Sequence, residues 1–190
     1  MVDLSLKDDN NFYYLMKRYE KKIDSYIRRI ANINRESAED ILQEVFIKVY
    51  KNLHGFNKNF KFSSWIYRIA HNEMISYLRK NRKALEALSL DIDGPDHESL
   101  MNLLADTLDI EEEHISREKV EIIRRIFAEL PPKYREVLVL RYLEEQSYDE
   151  ISDILKKPPG SVATLINRAK SNFKKIMQRS NYEGVLHNHE

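Results

Sequence analysis

The sequence predicts an all-α protein: two small helical domains joined by an acidic, flexible linker, the C-terminal domain containing a helix-turn-helix. Apolar residues recur at three- and four-residue steps along most of the chain, and no alternating strand pattern survives counting. The charges also fall into blocks, with residues 1–83 formally +7, residues 84–114 formally −10 without a single Lys or Arg, and residues 115–190 formally +3. These cancel to a net charge of zero. A chain of 190 residues suffices for one ordinary domain or two small ones with modest cores.

The first helix is marked by Leu15, Tyr19, Ile23, Tyr26, Ile27 and Ile30, an amphipathic stripe. A second is expected over residues 37–53, where Ile41, Leu42, Val45, Phe46, Val49, Tyr50 and Leu53 form a broad apolar face and His54-Gly55 ends it. Asp40, Gln43, Glu44, Lys48 and Lys51 lie outside that stripe, and Ile47 projects from the middle of the polar side. After an Asn/Lys/Phe loop, Ser63 or Ser64 is the expected cap of a third helix through Trp65, Ile69 and Leu78 into Arg79-Lys80-Asn81-Arg82-Lys83. Residues 1–83 form the first domain. Residues 84–114, with Gly94-Pro95 and ten carboxylates, read as a linker holding at most a short helix near 99–104.

The second domain is expected over residues 115–180, followed by a disordered tail at 181–190. Val120, Ile123, Ile126, Phe127 and Leu130 form a stripe stopped by Pro131-Pro132, and Val137, Leu138, Leu140, Arg141 and Tyr142 begin the next. Ser147 and Glu150 stand at the spacing of a capping box and open a short helix through Ile151 and Leu155. Residues 156–160 read as a turn, and Ser161 starts a last helix whose buried side is Val162, Ile166, Ala169 and Phe173. Two short helices around a tight turn make a helix-turn-helix.

Composition closes several function classes. The chain has no cysteine, which excludes disulfides, thiolate nucleophiles and thiolate metal sites. His54, His71, His97, His114, His187 and His189 are scattered without metal-ligand spacing, and neither a phosphate-cradling Gly-rich loop nor a nucleophile motif is present, so no enzyme and no cofactor is expected. The apolar runs fall short of a membrane span, and residues 1–11 lack the pattern of a secretory signal; the expected place is the cytoplasm. Two basic ends around an acidic connector suit a polyanion-binding protein, although blocks of one sign also occur as plain solvated linkers.

Two constellations point the same way. The last helix turns Ala163, Thr164, Asn167, Arg168, Ser171 and Lys174 outward, and in DNA-binding versions of this motif such a face enters the major groove. The rival reading is an ordinary helical hairpin. In the first domain Phe60, Phe62, Trp65, Tyr67 and Tyr77 stand close to the basic cluster, combining rings on which bases stack with cations that meet phosphates. For Trp65 a place in the core competes with stacking, its indole then shaping a nearby pocket.

The segments Asp40-Ile41-Leu42-Gln43-Glu44-Val45-Phe46 and Phe62-Ser63-Ser64-Trp65-Ile66-Tyr67-Arg68-Ile69-Ala70-His71-Asn72 resemble the second conserved region of extracytoplasmic-function sigma factors. Leu130-Pro131, Tyr134-Arg135, Leu140-Arg141-Tyr142, Ser147-Tyr148-Asp149-Glu150-Ile151, Gly160-Ser161-Val162 and Arg168-Ala169-Lys170 resemble their fourth region, in the right order. The resemblance implies a transcription initiation factor that binds core RNA polymerase, through the β′ clamp helices and the β subunit, and directs it to promoters. Asp40, Gln43, Glu44, Ile47 and Lys51 are then the polymerase-binding residues. Trp65, Asn72, Arg79, Lys80, Arg82 and Lys83 meet the −10 element as a melted single strand, with Asn72 reading an unpaired base unless it serves as a cap. Thr164, Asn167, Arg168, Ser171 and Lys174 meet the duplex −35 element. An anti-sigma partner and a sigma-like decoy that starts no transcription both remain open. The chain departs from the family at Ala163 and Leu165, where relatives carry charge, and at Ser76, where many carry Asp. The acidic linker is either a plain tether or a mimic of nucleic acid inside the polymerase.

Overall fold

The computed structural model describes residues 9–31, 33–88 and 117–180, with side chains over 12–31, 33–81 and 121–180. Residues 89–116, which hold most of the acidic segment, and the C-terminal tail lie outside the described residues, while the helix of residues 62–88 runs on into the start of that segment. Seven α-helices are described: α1 (Asp9–Ala31), α2 (Arg35–Asn52) and α3 (Phe62–Leu88), then α4 (Arg117–Glu129), α5 (Pro132–Leu138), α6 (Tyr148–Leu155) and α7 (Pro159–Arg179). No strand occurs among the described residues.

Helices α1 to α3 form the first domain because each buries one stripe against the other two: Leu15, Ile23, Ile27 and Ile30 from α1, Ala38, Ile41, Val45 and Val49 from α2, Ile66, Ala70 and Met74 from α3. Helix α2 begins two residues before Ser37, because the Asn34 side chain accepts from the Ser37 amide at 2.9 Å and caps the turn. It closes in a 3-10 turn over Leu53–Gly55. Neither expected serine caps α3. The Lys61 carbonyl accepts the first helical bond, from the Trp65 amide at 3.2 Å, which leaves Ser63 and Ser64 inside the first turn and Ser64 buried. Lys48 pairs with Glu73 at 2.6 Å, and Tyr77 donates to Ser37 at 2.6 Å, so α2 and α3 are tied at two levels.

In the second domain Ile122, not Ile123, joins Ile126 and Leu130 on the buried side of α4. Pro131 and Pro132 end one helix and open the next, Pro132 standing in the first turn of α5 where no amide is required. Buried Arg135 reaches back to donate to the carbonyls of Ala128 at 2.8 Å and Leu130 at 3.2 Å, capping the end of α4. A π turn over Val139–Leu143 follows α5. Both halves of the Ser147/Glu150 capping box are formed, at 3.3 and 2.6 Å. The reversal between α6 and α7 is made by Lys156 in the left-handed region (φ 51°), and α7 starts at Pro159, so the turn is shorter than residues 156–160. Val162, Ile166 and Ala169 are buried, while Phe173 is half-buried with its ring edge-on to Phe127 at 5.8 Å.

The two domains touch, α3 lying against α6 and α1 against α5. Their buried apolar residues belong to one continuous cluster, yet the seam is studded with polar groups. Tyr26 donates to Glu136 at 2.6 Å, and His71 Nδ1 lies 2.6 Å from the same carboxylate. Glu144 accepts from Arg29 at 3.0 Å and from Tyr67.

Candidate polymerase and nucleic-acid interfaces

Helix α2 presents Asp40, Gln43, Glu44, Ile47 and Lys51 to solvent together, as the sequence reading requires of a docking face. That face is less polar than expected. Ile47, 43 % exposed, stands on the rim of an apolar groove of about 450 Å³ between α1 and α2. Phe12, Met16, Leu42, Phe46 and Tyr50 line it, and Phe12 meets Tyr50 edge-on at 5.2 Å. The second wall comes from α1, so the pattern of α2 alone makes Ile47 look isolated among charges.

On α3, Trp65 packs at 5.1 Å from Phe56 and 5.5 Å from Phe62, and Phe62 in turn meets Tyr19. Trp65 is therefore half-buried in a ring cluster, whereas Phe60 is exposed. Asn72 lies within the helix and exposed, neither a cap nor a loop residue. Steps of three and four residues put Trp65, Arg68, Asn72, Ile75 and Arg79 on one stripe. The sequence reading missed Arg68 and exposed Ile75, although the spacing itself would have found them. Lys80 is exposed at the far end of the stripe; Arg82 and Lys83 continue the helix, their side chains outside the described ones.

On α7, Thr164, Asn167, Arg168, Ser171 and Lys174 are all exposed on one side. The Thr164 hydroxyl donates to the Gly160 carbonyl at 2.9 Å, which leaves its oxygen free to accept. Leu165 is half-buried and packs on the core, and Ala163 is half-buried, so neither position offers a charge to DNA. Tyr142 and Tyr148 are both exposed, Lys170 lying over the first ring at 5.4 Å and Arg141 over the second at 5.6 Å. These were not singled out as an interface by the sequence reading.

Two family matches coincide with the two domains: Sigma-70 region 2 over residues 15–84 and Sigma-70 region 4 over residues 120–172. The chain is 37 % identical over 172 residues to the ECF RNA polymerase sigma factor SigW of Bacillus subtilis, covering 90 % of this chain and 91 % of that one. The chain belongs to the ECF RNA polymerase sigma factors. It is also 32 % identical over 165 residues to the ECF sigma-E factor of Escherichia coli, covering 86 % of this chain and 84 % of that one. Among solved structures it resembles CnrH in complex with the cytosolic domain of CnrY (TM-score 0.62, 19 % identity, 90 % of each chain). It also resembles the sigma factor RpoE of Bartonella quintana in complex with the anti-sigma factor NepR (TM-score 0.65, 17 % identity, 88 % of this chain and 97 % of that one). As a sigma factor this protein is a transcription initiation factor whose domains bind RNA polymerase and promoter DNA. No described helix is long and apolar enough to cross a membrane. Among the described residues no cluster of His, Asp and Glu could hold a metal ion.

Proposed function

We propose that the three exposed faces divide the work of initiation. The face of α2 around Ile47, with Asp40, Gln43, Glu44 and Lys51, docks on the β′ clamp helices of core polymerase, the acidic and amide groups setting orientation and Ile47 with its groove supplying apolar burial. Asn72 reads an unpaired −10 base: its amide donates and accepts at once on a Watson–Crick edge, while Arg79, Lys80, Arg82 and Lys83 hold the phosphates of the same strand. Trp65 serves this step by fixing the ring cluster under the stripe. The outward face of α7 reads the duplex −35 element, and Arg168 carries the contact, because Ala163 and Leu165 bring no charge.

Residues 1–83, 84–114 and 115–180 are then the −10 domain, the connector and the −35 domain of a cytoplasmic, non-enzymatic factor. The exposure of all five polymerase-face residues together, beside an apolar groove, carries the reading. An anti-sigma protein is a further partner, supported by the likeness to the RpoE fold solved with NepR. Promoter-specific run-off transcription with core polymerase tests the whole; a chain that binds core but yields no run-off product is a decoy instead. Ile47→Glu is expected to weaken core binding at least tenfold without loss of helicity, since a charge must then enter an apolar contact. Unchanged core affinity in the folded variant removes α2 from the interface.

A further inference from the structure

Several polar side chains of α7 are already engaged within the protein. The Thr164 hydroxyl donates to the Gly160 carbonyl at 2.9 Å, the Asn172 amide donates to the Arg168 carbonyl at 2.8 Å, and Lys170 lies over the Tyr142 ring at 5.4 Å. Asn167 differs. It is exposed, and among the described residues its amide meets no hydrogen-bond partner. Arg168 beside it is exposed and enters no ion pair among the described residues, and α7 itself contains no acidic residue.

Asparagine is a poor residue for the middle of a helix, because its short amide competes with the backbone for hydrogen bonds. Asn172 recovers part of that loss through its bond along the helix, whereas Asn167 recovers nothing from the fold. A side chain that weakens its own helix and touches nothing in the chain is explained by what it meets outside. Its place is suited to a base edge. In a helix-turn-helix the N-terminal part of the second helix meets the bases, and Asn167 and Arg168 fall in the first half of Pro159–Arg179. Lys174 lies about 10 Å further along, at the end suited to phosphates. Ala163, one turn before Asn167 on the same side, is too short to hold the helix away from the groove floor.

We propose that Asn167 is a specificity-determining residue of the C-terminal domain, reading one adenine of the −35 element in the major groove. The inference rests on the functional reading above and deepens it by naming the base. The Asn167 Oδ1 accepts from the N6 amine of adenine while Nδ2 donates to N7, and guanine, with two acceptors at the same edge, cannot satisfy both. Arg168 has only donors and fits that guanine edge instead. Ser171 donates or accepts with any base, so it adds little choice. Asn167 and Arg168 are consecutive, which sets the adenine close to the base pair that Arg168 contacts.

The test uses holoenzyme assembled from the full chain and core polymerase. Promoters carrying each base pair in turn at every −35 position compete for it, and the binding ratios give the preference at each position. The unsubstituted factor is expected to prefer adenine at one position by roughly tenfold, the discrimination of a good bidentate pair. Asn167→Ala should flatten the preference at that position and no other. Alanine is the better helix former, so the variant keeps its helicity. At the same position 7-deazaadenine, which lacks the N7 acceptor, and unsubstituted purine, which lacks the N6 amine, should each weaken binding by the wild type and leave Asn167→Ala unmoved. An adenine preference that survives Asn167→Ala overturns the inference, as does a loss of affinity equal for all bases, which a phosphate contact would give. Arg168→Ala scores the functional reading separately: if it loses −35-dependent binding while Asn167→Ala changes nothing, α7 stays in the groove and only the adenine assignment falls. A wild-type holoenzyme with no −35 preference overturns both.

Discussion

The interior of each domain and the seam between them solve different problems with different side chains. Inside the domains the buried positions are mostly Ile, Val, Leu, Ala and Met, and buried Arg135 is spent on the orphan carbonyls of α4. At the seam the apolar cluster continues, but it is joined by groups that end in hydroxyl, imidazole, guanidinium and carboxylate. Apolar packing is hard to undo, because separation exposes oil to water; polar packing comes apart at small cost once water can replace each partner. The lesson is that a contact's composition tells whether it is permanent.

The sharpest way to break this comparison is to damage an interior. Ile166 is fully buried on α7, and Ile166→Ala should cost the C-terminal domain about 3 kcal/mol, seen as a lowered melting transition. Residues 117–180 should lose stability while the helices of the first domain keep theirs. A single shared transition that falls as a whole would mean that seam and interiors are one cooperative unit.

A smaller effect on folding, with a larger one on shape, is expected at the seam. Arg29→Met keeps the length of the side chain and removes its charge, leaving Glu144 closed against Tyr67 alone. Closure should weaken by about 1–3 kcal/mol with little change in helicity, read as reduced energy transfer between labels on the two domains. Combined with Glu144→Gln, the change should differ from the sum of the two single changes, because both act on one pair. Strict additivity would dissolve the pair as a unit.

The smallest effect is the dependence of closure on pH. Burial raises the Glu144 carboxyl more than its bonds to Tyr67 and Arg29 and the nearby charge of Lys22 lower it. An acid with a closed-state pKa above its open-state value binds more protons when closed. Its ionised form therefore opposes closure above the raised pKa, and that opposition fades as pH falls through it. Energy transfer should rise slightly on acidification from neutral pH, and Glu144→Gln should remove this residue's share of the slope. A slope of opposite sign that vanishes with Glu144→Gln would show that the ion pair with Arg29 outweighs burial.

Much of the fold was legible because its signals are local. The Ser147/Glu150 box closes over three residues, and the buried side of α7, with Leu165 widening it, follows from helical period alone. Local ambiguity explains the small misses: Asn34 and Lys61 took the starts of α2 and α3 that nearby serines also suited, and Ile122 and Ile123 are equally apolar neighbours of which the first is buried and the second half-buried. The exposed face proposed for docking was legible from α2, but the groove beside it was not, since Phe12 and Met16 arrive from another helix.

By itself the sequence determined the helices, the order of the two domains, the outward face of α7 and, through its motifs, membership of the sigma factors, because each of these is written in spacings of a few residues. Only the tertiary structure decided that the domains close on each other and through which groups. Arg29 and Glu144 are 115 positions apart, Tyr26 and Glu136 are 110, and no period or motif relates them. In the sequence those carboxylates are two more charges among many; they become part of the contact between the domains only when packing removes the water that would otherwise have solvated them.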